Sequence, residues 1–269
     1  MSTSAQAAVP ATHTAPWVLL RGLTREARHW GEFAALLRAV QPGAPVIALD
    51  LPGNGGLHAQ RSPASVPAMA AHCRAALQAM GVAPPYRVLA MSLGAMVAVA
   101  WAHAQPRELA AAVLINTSLR PFGAFHQRLR PSQYATLLRL ALTGADAAEW
   151  ERSILGLTSQ RRLGTAERDA LLGAWTAWRR ESPVSGANAL RQLLAAARYR
   201  ASQSRPAVPF LVLASTHDAL VDPRCSRRLA QAWALPIAEH PTAGHDLPLD
   251  DGPWVARQVE RFVCTLKAP

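Results

Sequence analysis

Tyr86-Arg87-Val88-Leu89-Ala90-Met91-Ser92-Leu93-Gly94-Ala95-Met96-Val97-Ala98-Val99-Ala100 is the stretch whose reading decides the fold. Its first six residues are too few for a helix and mostly apolar on both faces, as in a central strand of a parallel sheet. The run breaks at Ser92 and resumes as a small-residue apolar helix to Gln105. A serine on so sharp a strand-to-helix turn is held in an unfavourable backbone conformation, so the positions two before and two after it must be small. Ala90 and Gly94 meet that demand. The turn projects the serine oxygen above the sheet, where the N–H of Leu93 also points from the positive end of a helix. A serine between strand and helix can equally be an N-cap, and the first glycine of the G-x-S-x-G pattern is alanine here.

Outward from this stretch the same rhythm repeats. Trp17-Val18-Leu19-Leu20 ends in Arg21-Gly22, Val46-Ile47-Ala48-Leu49 in Asp50, and Ala112-Val113-Leu114-Ile115 in Asn116. Phe210 to Ala214 ends near Asp218, and Ile237 to His240 forms another short run. Helical spacing predicts helices over Ser62 to Met80, Ser92 to Gln105, Pro223 to Ala234 and Gly252 to Leu266. Strand and helix in alternation argue an α/β fold with a doubly wound, mostly parallel sheet. Between Ser118 and Pro206 the alternation stops. Four helical patterns follow one another there, over Ser132 to Thr143, Asp146 to Gly156, Thr165 to Arg180 and Ser185 to Tyr199. The expected organisation is an α/β core over 16–117 and 207–269, with 118–206 as an all-helical cap over the carboxyl ends of the strands. Open α/β sheets bind their ligands at those ends.

The whole chain is consistent with that plan. Its 269 residues are half hydrophobic, enough for a sizeable core, which excludes wholesale disorder. Apolar runs are far shorter than the roughly 20 residues of a membrane span. Residues 1–15 lack both charge and a continuous apolar stretch, which reads as a loosely attached arm rather than an export signal and makes the cytoplasm the expected location. Cys73, Cys225 and Cys264 are odd in number and widely spaced, suggesting neither a disulfide framework nor a zinc site. No metal or organic cofactor is expected.

Chain order supplies a second test of Ser92. A nucleophilic serine needs a base, and the base needs a carboxylate to fix its tautomer. His217-Asp218-Ala219-Leu220-Val221-Asp222-Pro223 closes one apolar run, and Gly244-His245-Asp246 follows another. Asp218 is preferred to Asp222 because it lies nearer the strand end, whereas Asp222-Pro223 suits a helix start. Ser, then Asp, then His is the order of the α/β-hydrolases. From Trp17 to its C-terminus the chain resembles an α/β-hydrolase with a helical cap. Its layout is similar to the branch of esterases, C–C hydrolases and cofactor-free haloperoxidases that includes the pimeloyl-carrier-protein methyl ester carboxylesterases. The matching pieces are Arg21-Gly22-Leu23 with Trp30, Asp50-Leu51-Pro52-Gly53-Asn54-Gly55, Ala90 to Gly94, His217 to Val221, and Gly244-His245-Asp246. The resemblance implies Ser92 as nucleophile, His245 as general base and acid, Asp218 as its orienting partner, and the N–H groups of Leu23 and Leu93 as oxyanion hole. Relatives that cleave haloalkanes or epoxides carry Asp at the nucleophile position, and Ser92 argues against both chemistries.

One piece departs from the pattern. The family usually has His-Gly where this chain has Arg21-Gly22, so Arg21 either replaces the histidine structurally or reaches a substrate carboxylate. Trp150, Trp175 and Trp178 fall on predicted cap helices, as core or as lining of an apolar acyl pocket. The Asp50 to Gly55 turn lacks the Lys-Ser/Thr of a phosphate loop and reads as structural. Lys plus Arg number 28 against 17 acids, for a net charge of +11, and Lys267 is the sole lysine. The segment 118–206 holds fourteen arginines and six acids. A GC-rich genome explains the choice of arginine. The shortage of acids suggests an acidic partner for the cap, such as a carrier protein delivering an acyl chain, or an anionic substrate. No nucleic-acid motif is present. The expected activity is hydrolysis of a small-molecule or carrier-bound carboxylic ester or thioester. C–C bond hydrolysis or peracid formation on the same triad, and a non-catalytic ligand-binding module, are the alternatives.

Overall fold

The computed structural model describes residues 15–267. All but the last residue of the arm expected at 1–15 lies outside it. Six strands form one wholly parallel sheet: β1 (Trp17–Leu20), β2 (Val46–Leu49), β3 (Tyr86–Met91), β4 (Leu109–Ile115), β5 (Phe210–Ser215) and β6 (Ile237–His240). Their order across the sheet is β2-β1-β3-β4-β5-β6. The chain therefore winds outward from β1 to β2, crosses back to β3, and continues the other way. That reversal falls between β1 and β3, and the carboxyl ends of strands at such a switch point are where open α/β sheets take ligands.

The strand side chains show why both faces are covered. Along β1, Val18 and Leu20 enter one core and Trp17 and Leu19 the other; in β3, Val88 and Ala90 oppose Leu89 and Met91. The first core is closed by α2 (Val66–Ala79), α3 (Leu93–Ala104) and α9 (Arg224–Trp233), and the second by α1 (Phe33–Val40) and α11 (Gly252–Lys267). Each fully buried Val, Leu or Phe contributes roughly 1.5–3 kcal/mol. The sheet is thus fixed by apolar burial on both sides.

Five helices lie between β4 and β5: α4 (Phe125–Arg128), α5 (Tyr134–Leu142), α6 (Ala147–Thr158), α7 (Thr165–Glu181) and α8 (Gly186–Arg198). The two ends of this insertion are tied together, because Arg120 and Arg200 form an isolated parallel bridge and Ala201 N donates to Arg120 O at 2.8 Å. The short helix α10 (Leu247–Asp250) completes the set.

Three expectations need adjustment. Helix α1 is absent from the sequence reading because its start carries no capping signal; Glu32 precedes it without a side-chain cap. Helix α2 begins at Val66, after Ser65, rather than at Ser62, whose side chain is buried in a polar network instead. Helix α5 begins at Tyr134, following a 3₁₀ turn at Pro131–Gln133.

Candidate functional site

Ser92 stands between β3 and α3 with φ 53° and ψ −115°, in the left-handed region that a residue with a Cβ enters only under strain. Two close approaches hold it there. A Cβ on Gly94 would lie 2.5 Å from Leu20 O and 2.6 Å from Arg21 O, so α3 can start this near β1 only because that residue is glycine. A Cβ on Gly22 would lie 3.1 Å from Ser92 Cβ, which places the loop after β1 directly against the serine. Ser92 N donates to Ile115 O at 2.9 Å, fixing the turn to the end of β4.

The loops after β5 and β6 deliver the other two residues. His245 Nδ1 lies 2.7 Å from Asp218 Oδ2, and both side chains are buried. A carboxylate only accepts, so Nδ1 carries the proton and Nε2 of the neutral ring is left as an acceptor. Asp218 Oδ1 in turn accepts from the N–H groups of Leu220 and Val221, at 2.8 and 2.9 Å. Asp222 is engaged elsewhere, in a forked pair with Arg224. Burial alone would lower the pKa of His245. The charge of Asp218 and its hydrogen bond outweigh that cost and hold the imidazole above its ordinary value.

The serine and the histidine share a support. Asn116, at φ 46° at the end of β4, donates from Nδ2 to His245 O (2.8 Å) and Gly244 O (3.3 Å) and accepts from Ser215 N at Oδ1 (2.8 Å). It adjoins Ile115, the acceptor for Ser92 N. Consecutive residues of one strand end thus anchor both loops. No hydrogen bond joins Ser92 Oγ to the ring of His245 among the described residues, and such bonds commonly tighten only when substrate is bound. The N–H groups of Leu23 and Leu93 likewise have no acceptor among those residues. The first belongs to the loop that Gly22 holds against Ser92, the second to the first turn of α3.

Arg21 is turned to Asp246. Its Nη1 and Nη2 donate to Oδ1 and Oδ2 at 3.1 and 2.5 Å, both side chains are buried, and the guanidinium stacks 4.9 Å from the Trp30 ring centroid. The three tryptophans meet arginines and a histidine. Arg25 lies over Trp175 and Arg179 over Trp150, each at 4.2 Å, while His29 meets Trp175 and Trp178 edge-on. Glu151, 1% exposed, accepts from Arg25 (2.5 Å) and Arg179 (3.4 Å). This polar and aromatic contact fastens α6 and α7 to the loop after β1. Helix α8 adds to it, because Gln192 accepts from Thr24 N at 2.8 Å and donates to Asn54 at 2.7 Å. The Asp50 carboxylate accepts from Gly56 N within its own turn and from Ala27 N of the 3₁₀ turn Ala27–Trp30, which ties the two turns together.

Sequence reasoning passed over Asn116 as a brace, Asp246 as the partner of Arg21, and the links from α6 and α8. An asparagine closing an apolar strand was the one visible sign of the first. Among the described residues no group of His, Cys, Asp and Glu is arranged to hold a metal ion, and no helix is long and apolar enough to cross a membrane.

A parallel sheet wound from a central strand, with a strained serine after β3, is the layout of the α/β hydrolase fold, and the model of that family matches residues 16–251. The chain belongs to this family and is a hydrolase of that fold. Solved structures agree on the fold. The enol-lactonase from Burkholderia xenovorans superposes with a TM-score of 0.71 at 21% identity, covering 93% of this chain and 92% of its own. An esterase from Rhodococcus sp. gives 0.69 at 22%, covering 94% and 91%. A hydrolase from Pseudomonas aeruginosa gives 0.74 at 20%, also covering 94% and 91%. A search of curated proteins finds no match.

Proposed function

We propose that the protein is a serine hydrolase of carboxylic esters or thioesters, acting through Ser92, His245 and Asp218. The observation that carries this reading is the buried 2.7 Å contact of His245 with Asp218, made by loops that share Asn116 and the β4 end with the strained Ser92 turn. His245 Nε2 takes the Ser92 hydroxyl proton as Oγ attacks the carbonyl carbon. The negative charge on the former carbonyl oxygen is received by the N–H groups of Leu23 and Leu93. Collapse expels the alcohol or thiol, which leaves with the proton held by His245, and an ester to Ser92 remains. Water repeats the sequence, giving up a proton to His245 and releasing the acid.

The insertion over 118–206 acts in this reading as a cap, with Trp150, Trp175 and Trp178 fastening it rather than meeting substrate, and Arg21 serving the scaffold. Ser92→Ala tests the reading. Its turnover on short acyl esters is expected to fall by at least about 10³-fold, the scale of losing a triad member, and a fluorophosphonate probe is expected to label the wild type at Ser92 and nowhere in the variant. A variant keeping a tenth of wild-type turnover would overturn the assignment.

A further inference from the structure

The mechanism above leaves the Arg21–Asp246 pair unused, although Asp246 is covalently next to His245 and Arg21 is next to Gly22. Resting on the reading of His245 as general base, we propose that Arg21 and Asp246 are positioning residues. The pair locks the oxyanion loop to the histidine loop and cancels, at His245, the charge that either partner alone would impose.

The geometry carries the first half. The two bonds of the fork, at 3.1 and 2.5 Å, fix distance and orientation together, which a single ammonium could not do. Each partner is itself held. Arg21 O is one of the atoms that exclude a side chain at Gly94, and its guanidinium is backed by Trp30. Asp246 N donates to Thr158 O at 2.7 Å, and Asp246 O accepts from Leu249 N and Asp250 N. The fork therefore spans the start of α3, the loop after β1, and the loop before α10. Stability gives a weak reason for such a pair, because removing two charges from water offsets most of their attraction. Alignment of two loops that must meet one carbonyl group gives a stronger one.

The surroundings of His245 carry the second half. It is faced by Asp218 from the loop after β5, by Arg21 from the loop after β1, and by Asp246 on its own loop; Asp250 lies beyond, bound to Gly244 N, and His29 faces Arg21 and Arg25 from the 3₁₀ turn Ala27–Trp30. Asp246 favours the imidazolium and Arg21 opposes it. Paired, they leave Asp218 as the partner charge that decides when His245 is neutral.

The test is the pH dependence of fluorophosphonate labelling at Ser92, which needs no knowledge of the substrate. Arg21→Met strips the cover from a carboxylate, so its acid limb is expected to move to higher pH. Asp246→Asn strips the cover from a cation, so its limb is expected to move to lower pH. The double variant is expected to return to the wild-type midpoint, and Arg21→Lys to keep the midpoint while its plateau rate falls roughly 10- to 100-fold, as for a reacting group displaced by about 1 Å. Urea titration establishes that each variant is folded. Should Arg21→Met fail to fold, Asp246→Asn against Arg21→Lys retains the contrast. Limbs that stay together, or move the same way, overturn the proposal while leaving the triad intact. A wild type that does not label at Ser92 overturns the reading of the site on which the proposal rests.

Discussion

Asn116 shows how much one side chain can do at a strand end. It closes β4 at a positive φ, caps the β5 strand through Ser215 N, and holds the carbonyls of Gly244 and His245. Alanine there would leave a buried N–H and two carbonyls without partners and would keep the left-handed backbone without asparagine's tolerance for it. Asn116→Ala is expected to cost about 2–4 kcal/mol in urea unfolding, and to slow Ser92 labelling by roughly tenfold even where the protein remains folded. A stability loss with unchanged labelling would mean that the histidine loop is fixed without it. At the same scale, the proposed mechanism needs His245 neutral to accept the serine proton, and the charge of Asp218 favours its protonated form. Activity on an uncharged ester is therefore expected to be lost on acidification, with a midpoint above the ordinary histidine value. Ester hydrolysis followed against pH checks this; a midpoint at or below that value would contradict the pairing.

Helix α6 meets the histidine loop through its C-terminal end. Thr158 O accepts from Asp246 N, and a Cβ on Gly244 would stand 2.7 Å from that oxygen. Asp250 fastens the same junction, accepting from Gly244 N (2.6 Å), Ser159 Oγ (2.5 Å) and Gln160 N (2.9 Å). The histidine loop thus touches the helical insertion before any substrate arrives. Asp250→Ala releases all three donors, and because hydrogen bonds to a charged group contribute about 1.5–3 kcal/mol, a loss of about 2 kcal/mol in urea unfolding is expected. Proteolysis between Thr158 and Thr165 is expected to quicken in the variant, and an unchanged cleavage rate would show the junction to be held by other contacts. Elements of this kind were the harder part to foresee. The six strands were legible because each is an apolar run closed by a turn residue, and the placing of Ser92, Asp218 and His245 in the loops after β3, β5 and β6 was legible because each follows such a run. The fork of Arg21 with Asp246 and the grip of Asp250 on Gly244 join residues whose local sequence carries no sign of pairing. Helix α1 escaped notice for want of a capping residue, and Ser62 resembled a helix start because its use by Asn188 and Gln192 comes from a distant helix.

Charge belongs to the whole molecule. Of the six acids in the insertion, Glu149, Glu151, Glu167 and Glu181 are already held in ion pairs, and Asp146 caps α6. Arg162, Arg198, Arg200 and Arg205 are exposed and have no ion-pair partner among the described residues. The surplus is thus presented outward on the segment proposed as the cap, where it would raise the local concentration of an acidic partner and speed its encounter. Such attraction is screened over about 8 Å at physiological salt, so it separates two kinds of substrate. Activity on an ester borne by an acidic carrier protein is expected to fall roughly tenfold between low and high salt, within the range of steering effects, while activity on a small neutral ester stays nearly constant. Arg198→Glu with Arg200→Glu is expected to reproduce the high-salt behaviour on the carried ester at low salt and to spare the small one. Equal salt dependence for the two esters would remove the acidic partner from the account and leave the arginines as a matter of composition.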